Sequence, residues 1–170
     1  MDEGAMRRAI SRISYEIVEK NRGGADLVLA GICTRGEYLA VRMADKIADV
    51  EGVRPQTIAL NVTAFRDDNP ERSGERNKIA GIEDIQSKTV VIVDDVLCTG
   101  RTARAAMEAV LCMGRARRIQ LAVLVDRGHR ELPIRPDYIG KNVPTSQEET
   151  VRVQLREVDA RDAVVILEKK

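Results

Sequence analysis

Aromatic residues are scarce in this chain: three Tyr, one Phe and no Trp among 170 residues. Unpaired bases are gripped on aromatic faces, so this scarcity argues against a stacking platform for single-stranded nucleic acid. Cys33, Cys98 and Cys112 are odd in number and form no C-x-x-C pair. They exclude a disulfide framework, and the lone His129 cannot complete a zinc site with them. No apolar run approaches the ~20 residues that cross a bilayer. The start, Met1-Asp2-Glu3-Gly4 followed by Arg7 and Arg8, lacks the apolar centre of a signal peptide. A reducing cytoplasm is the expected location, without membrane attachment. Charge of one sign is also missing, because 28 Lys+Arg nearly cancel 27 Asp+Glu to leave +1. That balance excludes a strongly basic, indiscriminate nucleic-acid binder but leaves room for a local basic patch.

What is present is an ordinary share of apolar side chains, 44%, spread along the chain. That suits one domain with a proper core, spanning residues 1–170. Met6, Ile10, Ile13 and Ile17 recur at helical spacing within residues 2–21. Leu27–Ala30 reads as a short buried strand, residues 37–50 as a helix, and Thr57–Ala64 as a half-exposed strand. Residues 66–78 contain no apolar side chain and read as a long polar loop of the kind that serves as a lid. Thr89–Val93 is β-branched throughout and gives the strongest strand signal; a helix follows at 101–113 and a buried strand at 119–125. Residues 127–149 read as an irregular cap, and Val151, Val153 and Val164–Leu167 as further strands. Strands alternating with helices predict an α/β fold, a mostly parallel twisted sheet flanked by helices on both faces, with that small irregular cap.

Open parallel sheets bind ligands at the carboxyl ends of their strands. After Thr89–Val93 the chain reads Asp94-Asp95-Val96-Leu97-Cys98-Thr99-Gly100-Arg101-Thr102 and opens a helix. Free amides and the positive dipole end of a helix start favour a phosphate, Gly100 allows close approach, and Thr99 and Thr102 add hydroxyl donors. Carboxylates repel phosphate, so Asp94 and Asp95 need another partner: the vicinal hydroxyls of a ribose, or a hydrated Mg²⁺. A phosphate cradle beside a diol-binding acid pair describes a ribose 5-phosphate site. The segment is neither a Walker A loop nor a dinucleotide-binding glycine motif.

At these residues a resemblance becomes specific. Val90–Thr102, VVIVDDVLCTGRT, resembles the thirteen-residue phosphoribosyl-pyrophosphate signature of the type I phosphoribosyltransferases. The stretches RRAISRISYEIVEKN (7–21), GICTRGEYLA (31–40), FRDD (65–68) and LAVLVDRGHRELPIRPDYIGKNVPTS (121–146) are similar to one bacterial branch of that family. Its members attenuate the pyrimidine operon and are also uracil phosphoribosyltransferases. The similarity covers nearly the whole chain. Cys98 stands where the family usually has Tyr, Asn61 where it has Asp, Phe65 where it has Tyr, and Tyr15 where it has His.

The resemblance implies a set of roles. Asp94 and Asp95 would hold the ribose hydroxyls of phosphoribosyl pyrophosphate, directly or through Mg²⁺, and the segment Val96, Leu97, Cys98, Thr99, Gly100, Arg101 and Thr102 would wrap the 5-phosphate. Thr34, Arg35 and Gly36 would hold the pyrophosphate, with Arg35 neutralising charge. Arg66, Arg72, Arg76 and Lys78 of the lid could reach the leaving group, and Arg127 would border the uracil. Asp94, Asp95 and Arg35 are thus the candidate catalytic residues. His129 suits a structural or RNA-facing role better than that of a general base. UMP or UTP in the same pocket would promote binding of a pyrimidine messenger RNA stem-loop by a homodimer or larger homo-oligomer. From Arg115 to Lys141 there are seven cations (Arg115, Arg117, Arg118, Arg127, Arg130, Arg135, Lys141) against three anions, and Arg7, Arg8 and Arg12 add to them. The candidate RNA contacts are Arg7, Arg8, Arg12, Tyr15, Arg118, Arg130, Arg135 and Lys141. Two alternatives stay open: a plain base-salvage phosphoribosyltransferase, and a nucleotide-sensing regulator without catalysis.

Overall fold

The computed structural model describes residues 1–67 and 85–168. The chain opens with helix α1 (Glu3–Asn21), which buries Met6, Ile10, Ile13 and Ile17, the four side chains whose spacing predicts it. Asp2 Oδ1 accepts the Ala5 amide at 2.7 Å and caps its start. Its end turns through Arg22 in the left-handed conformation, and Gly23 N–H returns to Val18 O at 3.0 Å.

Strand β1 (Leu27–Ile32), helix α2 (Arg35–Glu51) and strand β2 (Gln56–Leu60) follow, then a single 3-10 turn at Thr63–Phe65. Beyond the undescribed stretch come β3 (Thr89–Leu97), α3 (Arg101–Met113), β4 (Arg118–Asp126) and β5 (Tyr138–Asn142). The chain ends in β6 (Glu149–Gln154), the short helix α4 (Arg156–Asp159) and β7 (Ala163–Glu168). Five strands make one sheet in the order β2-β1-β3-β4-β5, every neighbouring pair parallel, while β6 and β7 form a separate antiparallel pair.

Strand alternation sends the β3 side chains to two cores. Val91 and Val93 join Leu39, Met43 and Ile47 of α2 and Ile13 and Ile17 of α1. Val90 and Ile92 join Ala106, Ala109 and Val110 of α3. Fully burying such side chains contributes roughly 1.5–3 kcal/mol each, enough to hold a layer of helices on both faces. Both flanked faces and the parallel sheet agree with the expectation from sequence. Among the described residues, no helix is long and apolar enough to cross a membrane.

Three expectations need correction. Thr57–Ala64 is not all strand: β2 stops at Leu60, and the chain folds into the 3-10 turn that buries Phe65. Strand β3 does not stop at Val93 but runs on through Asp94 and Asp95 to Leu97, because β4 is equally long and offers ladder partners at Val123, Val125 and Asp126. The cap predicted at 127–149 contains β5, the edge strand of the sheet. Its sequence, Tyr138-Ile139-Gly140-Lys141-Asn142, carries little apolar signal, and Gly140 is there because an added Cβ would lie 2.3 Å from Leu124 O of β4. Residues 68–78 of the expected lid, including Arg72, Arg76 and Lys78, lie outside the described residues.

Candidate active site

The strand order reverses between β1 and β3: α2 carries the chain outward from β1 to β2, and the next strand returns to the other side of β1. At such a switch point the loops leaving the two strands part and open a crevice at their carboxyl ends. Two glycines let the start of α2 press into it. A Cβ on Gly36 would lie 2.4 Å from Val93 O, and one on Gly31 would lie 2.3 Å from Glu37 Cα. Thr34 and Arg35 are thereby seated beside the end of β3, where Asp94 and Asp95 emerge.

The two acids are held by the backbone, and among the described residues neither forms an ion pair. Asp94 Oδ1 accepts the Asp95 amide at 2.9 Å, and Asp95 Oδ1 accepts the Val96 amide at 2.8 Å. Asp94 is only 9% exposed. Burial pushes its carboxyl well above the ordinary range, and the neighbouring Asp95 charge pushes the same way. Burial raises Asp95 as well, opposed by the Val96 amide and by the positive charge of Arg35. An acid pair raised chiefly by burial is poised to receive a cation or hydroxyl donors. Among the described residues no group of three or more His, Cys, Asp and Glu side chains is gathered to hold a metal ion. These two carboxylates fit a hydrated divalent cation that arrives with other ligands, or a diol.

Beyond them the chain turns through Cys98, Thr99 and Gly100 into α3. Gly100 takes φ 91°, and Ile134 and Leu132 lie 3.5 Å from where a Cβ would stand. The loop is tied from outside: Thr99 O accepts Glu131 N–H at 3.0 Å and Leu132 N–H at 3.1 Å, and Arg130 Nη1 donates to Cys98 O at 2.8 Å. Thr99 Oγ1 accepts the Arg101 amide at 3.3 Å, but no side chain caps the helix at Gly100. The start of α2, at Thr34, likewise has no side-chain cap. Two uncapped helix starts thus face one crevice with an acid pair between them, an arrangement that can take two anionic groups flanking a sugar.

The other expected substrate residues are placed as follows. Arg66 Nη1 donates to Thr102 Oγ1 at 3.3 Å, beside the α3 start. Arg101 turns its guanidinium outward to Glu131 at 2.7 Å and to Asp67, so its backbone amide, not its charge, faces the crevice. Leu97 is buried in the α3-side core and offers backbone only; its carbonyl accepts Arg127 N–H at 3.0 Å. Val96 packs against the opposite core. Arg127 reaches Thr145 Oγ1 at 3.2 Å and Glu149 O at 2.8 Å, which fixes the loop after β4. His129 Nε2 sits 2.6 Å from Thr145 O on the same turn.

The cations expected to meet RNA do not form one patch. Arg7, Arg8, Arg12 and Tyr15 are exposed on α1. Arg12 donates to Ile139 O at 3.1 Å and Gly140 O at 2.6 Å, which brings the α1 face beside Lys141 of β5, and Lys46 of α2 lies 5.9 Å from the Tyr15 ring centroid. Arg118 begins β4, at the amino end of the sheet, so roughly 26 Å of strand separates it from the crevice. Arg135 lies on the α3 side of the sheet, in a groove shared with Met107, Ile119 and Pro133. Arg130 is no free surface cation. It donates to Ile134 O at 2.9 Å and to Cys98 O, and pairs with Asp126, whose carboxyl it holds low against the opposing effect of burial. It braces the loop between β3 and α3. Sequence reasoning missed this because an arginine in a basic stretch carries no sign of the carbonyls it will meet.

Comparisons with known proteins agree with this geometry. The family model described as "Phosphoribosyl transferase domain" matches residues 2–157. The "Bifunctional protein PyrR" of Bacillus pumilus is 54% identical over 173 residues, covering 99% of this chain and 96% of its own. That of Staphylococcus aureus is 54% identical over 168 residues, covering 98% and 96%. Among solved structures, the hypoxanthine phosphoribosyltransferase of Trypanosoma cruzi superposes with a TM-score of 0.74 over 100% of this chain and 95% of its own, at 19% identity, a likeness of fold alone.

Proposed function

Since the chain belongs to the phosphoribosyltransferase family, we propose that it is a uracil phosphoribosyltransferase that also binds pyrimidine operon messenger RNA, and that UMP or UTP in the same crevice promotes that binding. The observation that carries the enzymatic half is the pair Asp94–Asp95, the first buried and the second half-buried, set between the uncapped starts of α2 and α3. Asp94 and Asp95 take the ribose hydroxyls, directly or through Mg²⁺. The amides of Arg101 and Thr102, with the hydroxyls of Thr99 and Thr102, hold the 5-phosphate. Thr34, Arg35 and Gly36 hold the pyrophosphate on the other side of the sugar. Arg127 and its loop border the base.

No protein nucleophile is needed. The pyrophosphate oxygen leaves C1 of the ribose with the bonding pair as N1 of uracil bonds to it, N1 gives up its proton to the departing pyrophosphate, and positive charge builds on the ring as the bond breaks. The two carboxylates lie beside that charge, and the α2 amides and Arg35 receive the negative charge leaving with the pyrophosphate. Family members work with a divalent metal bound to phosphoribosyl pyrophosphate, and such an ion supplies further neutralisation of the leaving group.

The regulatory half rests on the relatives, which are named bifunctional, and on the exposed cations of α1 beside Lys141. A homodimer or larger assembly would join two such faces, and a folded RNA would be read through its phosphates and shape. The test has two arms. UMP formation from uracil, phosphoribosyl pyrophosphate and Mg²⁺ is expected, and its absence refutes the enzyme. A gel shift with a pyrimidine leader transcript is expected to tighten with UMP. No shift under either condition leaves a salvage enzyme, and a shift without UMP formation leaves a nucleotide-sensing regulator. Arg8→Ala should weaken the RNA complex and lower its salt slope by about one.

A further inference from the structure

Of Thr34, Arg35 and Gly36, the residues expected to hold the pyrophosphate, Arg35 alone has a charged side chain, and that side chain is already engaged. Its Nη2 lies 2.9 Å from Asp159 Oδ1 and 3.0 Å from Oδ2, and its Nε lies 3.3 Å from Oδ2. This is a side-on fork, using the Nε–Nη2 edge and leaving Nη1 without a hydrogen bond among the described residues. The partner comes from α4, 124 residues away.

Asp159 is a fixed post. Its Oδ2 also accepts the Leu155 amide at 3.0 Å, and its own amide donates to Leu155 O at 2.6 Å. Leu155 is fully buried in the core shared by α1, α2 and β6. The Leu155 amide and the Arg35 charge together hold the Asp159 carboxyl below its ordinary range, so it stays ionised at neutral pH. Exposed ion pairs contribute little, but here both side chains are half-buried, 29% and 20% exposed. Two turns further along α2, Arg42 clasps the same segment, with Glu157 at 2.5 Å and Asp162 at 2.8 Å. The segment between β6 and β7 is thus keyed to α2 at two points, one of which is the residue that faces the crevice.

We propose that Asp159 is a positioning residue for pyrophosphate recognition: by gripping one edge of the Arg35 guanidinium it presents the other edge to the crevice. The inference rests on the reading of Arg35 given above. An arginine set in advance loses less rotamer freedom when the anion arrives, and a carboxylate behind it fixes the plane in which it donates. The C-terminal pair of strands then acts on substrate affinity without touching substrate.

The experiment compares Asp159→Asn, Asp159→Glu and Glu157→Gln with the unaltered protein. The measurements are steady-state UMP synthesis, calorimetric binding of inorganic pyrophosphate with Mg²⁺ and of UMP, and thermal melting. Asp159→Asn keeps the shape that the Leu155 amide needs but drops the charge on Arg35. It should raise KM for phosphoribosyl pyrophosphate about tenfold, weaken pyrophosphate binding in parallel, and leave kcat within about threefold and UMP affinity unchanged. Asp159→Glu should recover part of the loss. Glu157→Gln, which loosens the same segment through Arg42, should lower Tm while KM stays as it was. The proposal is overturned if Asp159→Asn weakens UMP and pyrophosphate alike, if Glu157→Gln reproduces its KM, or if KM falls, since Arg35 would then be restrained by the contact. Failure of the unaltered protein to make UMP or bind pyrophosphate would instead refute the reading of the crevice itself.

Discussion

The first turn of α1 is closed by Asp2, whose Oδ1 accepts the Ala5 amide at 2.7 Å, whereas Thr34 and Gly100, at the starts of α2 and α3, supply no side-chain cap. A missing cap costs a helix about 1 kcal/mol. The chain accepts that twice at one edge of its sheet and avoids it where α1 starts, beside β7 and Arg156. The acid pair deepens the contrast. Asp2 is an exposed carboxylate with a donor to satisfy it. Asp94 is buried and Asp95 partly so; burial raises both, and their oxygens accept neighbouring backbone amides. Stability and binding demand opposite things of a helix start, and the two regions show each demand met separately.

Four substitutions would break or sharpen that contrast. The largest effect is expected from Asp95→Asn, which removes a charge that the sugar or its cation needs: UMP synthesis should fall at least about 100-fold, with circular dichroism unchanged. A fully active variant would remove the acid pair from its assigned place. Next is Thr34→Asp, which puts a capping carboxylate on the bare start of α2. Repulsion should raise KM for phosphoribosyl pyrophosphate about tenfold while Tm stays level or rises slightly.

Asp94→Asn should raise the melting temperature of the unliganded protein at pH 7 by about 3 °C. The sign follows from linkage. The folded-state carboxyl is raised above its unfolded value, so folding is favoured when the acid is protonated. That advantage is full below the unfolded value and is lost as pH rises toward the folded one. The amide stays neutral throughout, so its gain should vanish in melts below about pH 4. The smallest effect on catalysis belongs to Asp2→Ala. It should cost about 1 kcal/mol, or about 3 °C, with kinetic constants unchanged; a shift in KM would mean that α1 reaches the site.

Much of this was legible in the residues. The β-branched run Thr89–Val93, the Asp94-Asp95 pair and Thr99-Gly100 followed by an apolar stripe foretold a strand, a turn and a helix, and α3 starts and ends where its spacing says. The β5 strand was not legible, because Tyr138–Asn142 draws its place from the ladder offered by β4 rather than from its own pattern. Nor was the use of the arginines. Arg35, Arg101, Arg127 and Arg130 look alike in the chain, yet one meets a carboxylate at the crevice rim, one turns away, one fixes a loop and one braces Cys98.

By itself, then, the order of residues determined the alternation of strands and helices, the two-faced core and the strand–turn–helix that places Asp94, Asp95 and Thr99, since side-chain periodicity and turn chemistry act over a few neighbours. Only the tertiary structure decided which strand lies at the edge, how far β3 runs, and which partner each charged side chain takes. Those choices depend on groups brought together from as far as 124 residues apart, as Arg35 and Asp159 are, and a local pattern holds no record of what will stand opposite it.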